Sequence, residues 1–199
     1  MRTDYTSRES FEHILATLMP ENRLALIVSM TTGLRIDDVL HLRTKDIVKG
    51  KFTITEMKTH KRRRVSLSKA LVDSLFYYAG RYYVFEHRLN EKKCRTRQAV
   101  FKDLKRACEI FRISEINLAP HSARKIFAVG EYQRTCKIET VKKLLNHSDE
   151  AVTMLYAMAD VLTERHSKKK TSHVPTMSIK KEPYSGSSSG SSEKFSTTP

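Results

Sequence analysis

Residues 50–68 read GKFTITEMKTHKRRRVSLS, and the periodicity of the chain changes there. On both sides, apolar residues recur at spacings of three and four, the pattern of a helix with one buried face. Here they alternate instead: Phe52 and Ile54 form one run, Val65 and Leu67 another. Alternation is the mark of strands with one buried face, and two such runs so close together predict an antiparallel hairpin or small meander. The residues joining the runs are basic, with Lys58, His60, Lys61, Arg62, Arg63 and Arg64 clustered at the expected tip. The fold class expected is therefore α+β: mainly α-helical, with a small antiparallel β-hairpin or three-stranded sheet.

The flanks supply the helices. Thr6–Glu9, TSRE, fits a capping box with Thr6 as N-cap. The helix that follows places Phe11, Ile14, Leu15 and Leu18 on one face and ends at Pro20. A second helix from about Glu21 is almost wholly apolar in its middle, so it should be buried, with Gly33 as C-cap or tight turn. A third, through RIDDVLHLR, buries Ile36, Val39, Leu40 and Leu42. After Ser68 helical spacing returns through KALVDSLFYYAGRYY, RTRQAVFKDLKRACEIF, HSARKIFAVGEYQR, IETVKKLLNH and SDEAVTMLYAMADVLTER, the last with Ser148 as N-cap. Residues 167–199 are rich in Ser, Gly, Pro and Lys and cannot bury enough apolar surface to offset their ordering entropy. They are expected to be a disordered tail behind one domain, residues 1–166.

Composition narrows the function. Lys and Arg number 37 against 22 Asp and Glu, a formal charge of +15. Such an excess favours a polyanionic partner, because each neutralised phosphate releases condensed counterions. No run approaches the ~18 apolar residues of a membrane span, and the charged N-terminus lacks a leader's apolar stretch. An intracellular, cytoplasmic protein with a polyanionic partner is the expectation, with no membrane partner. Cys94, Cys108 and Cys136 are widely spaced and odd in number, which suits reduced thiols better than a disulfide framework or zinc site. There is no G-x-x-x-x-G-K-[ST] loop, no G-x-G-x-x-G and no H-E-x-x-H, so nothing points to a nucleotide or a metal. Asp37 and Asp38 could belong to a metal-dependent nuclease, but no wider carboxylate cluster accompanies them.

What remains is a series of basic residues at helix and hairpin edges. Arg35 follows a glycine turn, Lys58 sits on the hairpin, and His121 and Arg124 form H-x-x-R. His147 closes LLNH, and Tyr156 stands nine residues beyond it. Each alone has an ordinary explanation as a solvated charge, a helix-dipole partner or a core tyrosine. Their order resembles that of the tyrosine recombinase (phage-integrase) catalytic domain. TGLRIDDVLHLRTKDI is similar to that family's first arginine motif, MKTHKRRRVSLS to its lysine hairpin, PHSARKIFA to its H-x-x-R motif and LLNHSDEAVTMLYAM to its final box. The resemblance covers roughly Ser7–Asp160. Asn146 stands where a glycine is usual and Lys125 where a histidine is common. The N-terminal clamping domain of many members has no counterpart before the first motif, so an accessory DNA-binding protein could take its place.

The resemblance implies a site-specific recombinase of integrase, invertase or resolvase type, such as mobile elements (phage, virus or plasmid) carry. It implies a catalytic set of Arg35, Lys58, His121, Arg124, His147 and Tyr156, with Asp38 buttressing an arginine or histidine. It further implies double-stranded DNA as substrate, with His60, Lys61, Arg62, Arg63 and Arg64 of the hairpin binding it, no cofactor, and a homo-oligomer, a tetramer when two duplexes are paired. The stripe Met158, Val161 and Leu162 would then pass between subunits, or pack on its own core. Two alternatives stay open: a type IB topoisomerase shares the chemistry, and a non-catalytic accessory protein derived from a recombinase would share the charge and fold.

Overall fold

The computed structural model describes Asp4 and residues 6–145. His147, Tyr156, the Met158–Leu162 stripe and the expected tail lie outside the described residues. Helix α1 (Arg8–Leu15), α2 (Pro20–Thr32) and the short α3 (Ile36–Leu40) are followed by a 3-10 turn, Thr44–Asp46. The hairpin comes next, with β1 (Lys51–Thr55) and β2 (Arg62–Ser66), then α4 (Lys69–Tyr78). A second hairpin, β3 (Glu86–His87) and β4 (Asn90–Cys94), precedes α5 (Arg97–Ile110), α6 (Pro120–Thr135) and α7 (Ile138–Leu145).

Helix α2 is the centre of the packing, touching α3, α5 and α6. Ala25, Leu26 and Val28 are fully enclosed, and Leu104 and Ala107 of α5 and Ala123 of α6 belong to the same core. The first hairpin pairs antiparallel, with Phe52 opposite Val65 and Thr55 opposite Arg62. The expected apolar pairs thus face the core. Among the described residues no helix is long and apolar enough to cross a membrane.

The differences from the sequence reading have local causes. The N-cap of α1 is Ser7, not Thr6: the extended Ser7 backbone lets its Oγ accept from the Ser10 amide at 3.2 Å, while Thr6 is buried. Helix α2 takes Pro20 as its first residue, where the fixed φ of proline suits a helix and its missing N–H costs nothing. Helix α3 stops at Leu40, before Leu42, and α4 at Tyr78, leaving Ala79–Tyr83 outside it. Of the two sheet forms expected, the hairpin is the one found, and among the described residues a second, separate two-stranded hairpin joins it. The second was invisible to periodicity because β4, NEKKC, has no apolar alternation and is exposed along most of its length. Finally, Arg62, Arg63 and Arg64 lie on β2 rather than at the tip.

Gly33 decides how the first motif is presented. It caps α2 in the left-handed region, φ 69°, with its N–H donating to the Ser29 carbonyl at 2.8 Å. Ser29 Oγ donates to the Leu34 carbonyl at 2.7 Å, closing the turn that hands the chain to Arg35. A β-carbon on Gly33 would stand 2.3 Å from Phe127 Cδ1 on α6. Both the conformation and the space demand glycine. Gly33→Ala should therefore cost about 2–5 kcal/mol, the sum of left-handed backbone strain and overpacking. Urea denaturation measures this, and an unchanged midpoint would show that α2 and α6 pack loosely there.

Candidate active site

A cleft of about 850 Å³ opens between α3, the first hairpin, α5 and the start of α6. Arg35, Asp38, Lys58, His121 and Arg124 line it, with Arg97 on the α5 side. Four of the catalytic residues expected from sequence therefore share one cavity. They arrive on three different elements. Arg35 is the extended residue just before α3, and Lys58 stands on the turn between β1 and β2. His121 and Arg124 project from the first turn of α6 and are three residues apart, so they share a face.

Arg124 is 1% exposed, and its Nη2 donates to the Leu145 carbonyl at 2.5 Å. Leu145 is the last residue of α7, two positions before His147 in the sequence. The second arginine thus grips the end of the helix that leads into the final motif.

Arg35 is held by a residue the sequence reading passed over. Its Nη1 donates to Glu56 Oε2 at 2.6 Å, and Glu56 is completely buried. Thr59 Oγ1 donates to the same oxygen at 2.8 Å. Arg63 approaches the other carboxylate oxygen at 3.7 Å and donates to the Thr32 carbonyl and, at 3.4 Å, to that of Gly33. A signal for both residues was present. Glu56 continues the inward phase of Phe52 and Ile54, and Arg63 shares the phase of Val65 and Leu67. Of the basic residues clustered on the hairpin, His60, Lys61, Arg62 and Arg64 are exposed, whereas Arg63 turns inward with only 11% of its side chain accessible.

Asp38 is buried, and its Oδ1 accepts the Met57 amide at 2.8 Å. Through that bond it buttresses the backbone of the lysine turn, and the charges of Arg35 and Arg124 act on the same carboxylate. Burial pushes its carboxyl above the ordinary aspartate range and the Glu56 charge adds to this, while the Met57 amide, Arg35 and Arg124 oppose it. Burial likewise pulls Arg63 below the usual guanidinium value, against the holding charge of Glu56. At the cleft mouth Arg97 faces Asp37 at 3.8 Å, both well exposed, a pair that contributes little on its own. Chemically, the cleft offers three guanidiniums, an ammonium and an imidazole around a space open to a polyanion.

Comparison with known proteins agrees with this geometry. The model of the phage integrase family matches residues 5–162. The chain is 30% identical over 168 residues to a probable integrase/recombinase, YoeC, of Bacillus subtilis, covering 80% of this chain and 91% of that one. Over 155 residues it is 28% identical to tyrosine recombinase XerA of Pyrococcus furiosus, covering 74% of this chain but 52% of the other. The chain therefore spans nearly all of one relative and about half of another. Among solved structures, XerH recombinase superposes with a TM-score of 0.64 at 20% identity, covering 85% of this chain and 54% of that one. The catalytic domain of bacteriophage HP1 integrase gives 0.60 at 20% identity, covering 90% and 100%. At such identities the likeness is one of fold.

The raised Asp38 carboxyl has a measurable consequence. A buried acid whose folded-state pKa exceeds its unfolded value binds protons more tightly when folded, so its contribution to stability falls as pH rises above about 4. Asp38→Asn keeps an acceptor for the Met57 amide and removes the charge. Its stability relative to the parent protein should improve as pH rises above about 4 and level off once the pH has passed the raised folded-state value of Asp38. Parallel urea titrations at several pH values measure this; a difference that stays constant would show that Arg35, Arg124 and the Met57 amide cancel burial, and one that worsens with pH that they outweigh it.

Proposed function

The chain belongs to the phage integrase family, and we propose that it cuts and rejoins double-stranded DNA at specific sites through a 3′-phosphotyrosyl intermediate. One observation carries this reading: Arg35, Lys58, His121 and Arg124, scattered along the sequence, line a single cleft. The Tyr156 phenolate attacks the scissile phosphorus and the 5′-oxygen leaves. The bond broken is replaced by one of the same type, so rejoining needs no external energy source. Attack adds negative charge to the non-bridging oxygens, where Arg35 and Arg124 donate, since a guanidinium is permanently charged and offers paired donors. Lys58 supplies the proton to the leaving oxygen. His121 and His147 donate to the phosphate or take the Tyr156 proton. A 5′-hydroxyl from a second strand reverses the steps.

The exposed basic residues His60, Lys61, Arg62 and Arg64 follow the DNA backbone beside the cleft. Exchange between two duplexes calls for several protomers on DNA, a tetramer in the full synapse, and an accessory protein could supply the grip of a separate clamping domain. The XerH relative was solved as a post-cleavage complex with its difH substrate, and a lambda integrase dimer was solved bound to a core site. Both support DNA as the partner here.

The test is covalent capture. Duplexes of randomised sequence carrying a nick in one strand are incubated with the protein, and strands that survive denaturing washes are recovered and sequenced. The protein should enrich one site and carry a 3′-linked strand on Tyr156. Tyr156→Phe should bind that duplex as before and capture none of it. A 3′ adduct on the phenylalanine variant would assign the nucleophile elsewhere, with Tyr132 next in line. Arg35→Lys and Arg124→Lys should each slow capture by about 10²-fold, because a point charge does not reproduce the guanidinium fork.

A further inference from the structure

Glu56 joins two parts of the site that act on opposite sides of the reacting phosphate. Its Oε2 accepts from Arg35 Nη1 at 2.6 Å and from Thr59 Oγ1 at 2.8 Å. Arg35 is a charge clamp for the phosphate, and Thr59 is the residue next to Lys58. One oxygen therefore anchors both the clamp and the turn carrying the proton donor. The turn is tied on its other side as well, where the Met57 amide donates to Asp38. Its backbone closes through Glu56 N–H to the Lys61 carbonyl at 3.0 Å and His60 N–H to the Glu56 carbonyl at 2.9 Å. His60 takes a left-handed conformation, φ 54°, to complete it.

The charge arrangement argues that this carboxylate does more than fill space. A fully buried glutamate is costly unless paired, and Glu56 has Arg63 on its second oxygen at 3.7 Å. Arg63 in turn donates to the carbonyls of Thr32 and Gly33, the turn that delivers Arg35. The contacts form a ring: Gly33 turn, Arg35, Glu56, Arg63 and back. Neutralisation by Arg63 would suffice for a structural acceptor. The bonds to Arg35 and Thr59 hold the two sides of the reacting phosphate in register.

We propose that Glu56 is a positioning residue for strand cleavage, acting through Arg35 on the phosphate and through the Thr59–Lys58 turn on the leaving oxygen. This rests on the function proposed above, with Lys58 as proton donor. The two arms can be separated chemically. Replacing the scissile 5′-bridging oxygen by sulfur gives a leaving group that departs as a thiolate, a thiol ionising near ~8.5, and so removes the need for the lysine proton. A defect that acts through Lys58 should vanish on the sulfur substrate, and one that acts through Arg35 should persist.

The experiment uses the duplex recovered by covalent capture, made with either oxygen or sulfur at the scissile position, and single-turnover cleavage by the full chain. Thr59→Val removes only the turn's bond to Glu56. It should cleave the oxygen substrate about tenfold more slowly and the sulfur substrate at the parental rate. Glu56→Gln should lose about 10²-fold or more on oxygen and recover only part of this on sulfur, because Arg35 remains misdirected. DNA affinity should stay near the parental value for both. If Glu56→Gln folds poorly, Glu56→Gln/Arg63→Met removes both buried charges together, so that neither is left unpaired, and should repeat the same pattern. Equal losses on both substrates for Thr59→Val, or parental cleavage by the folded Glu56 variants, would overturn the proposal while leaving the function intact. Failure of the parent chain to capture any duplex would instead remove the function itself, and this inference with it.

Discussion

Everything at the cleft depends on keeping like charges together. Arg35 and Arg63 both reach within 4 Å of one buried carboxylate, Glu56, and Arg124 is almost wholly enclosed nearby. At an effective dielectric near 20, two unit charges about 4 Å apart interact by roughly 4 kcal/mol. That is comparable to the whole margin by which a domain of this size is stable. Guanidiniums could not be collected there without counter-charge in the wall. Glu56 and Asp38 supply it from the protein side, which leaves the open side of the cleft positive. A polyanion is the partner that completes the balance.

The same constraint explains why the hairpin exists. Two short strands bury little apolar surface, and a hairpin alone is marginal in water. Here Phe52 and Val65 pin it to the core, while Glu56 and Arg63, on the same inward face, tie it to the Gly33 turn. The turn beyond can then carry Lys58 into the cleft with its backbone held by Asp38 on one side and Glu56 on the other. A rigid base with an exposed lysine at its end suits a group that must approach a leaving oxygen and withdraw. The burial that makes these carboxylates effective also raises the Asp38 carboxyl. Geometry at the cleft is thus maintained at some cost in stability at neutral pH.

Much of this was legible before any coordinates, and the gaps have physical reasons. The buried second helix, the Gly33 turn and the alternating strands followed from period and backbone chemistry alone. The motif order located Arg35, Lys58, His121 and Arg124, which the fold then brings to one cleft. Hydropathy patterns could not find the hairpin ending in NEKKC, since nothing on β4 alternates. The capping box at Thr6 slipped by one residue because Ser7 offered an equally good acceptor. Glu56 and Arg63 were missed for a different reason. Both are charged residues in the core-facing phase of a strand, and a reading that sorts charges to the surface assigns them to solvent. Alternation from Phe52 and Val65 would have turned them inward.

The central claim is that Arg35 and Arg124 act by neutralising charge on the non-bridging oxygens of a DNA phosphate. The most direct measurement compares cleavage of an ordinary duplex with one bearing an uncharged methylphosphonate at the scissile position, using the parent chain, Arg35→Ala and Arg124→Ala. If the arginines serve as charge clamps, each alanine variant should lose activity steeply on the ordinary phosphate and regain most of it on the methylphosphonate, where there is no charge left to neutralise. Equal losses on the two substrates would contradict the account and reduce the arginines to structural members of the cleft.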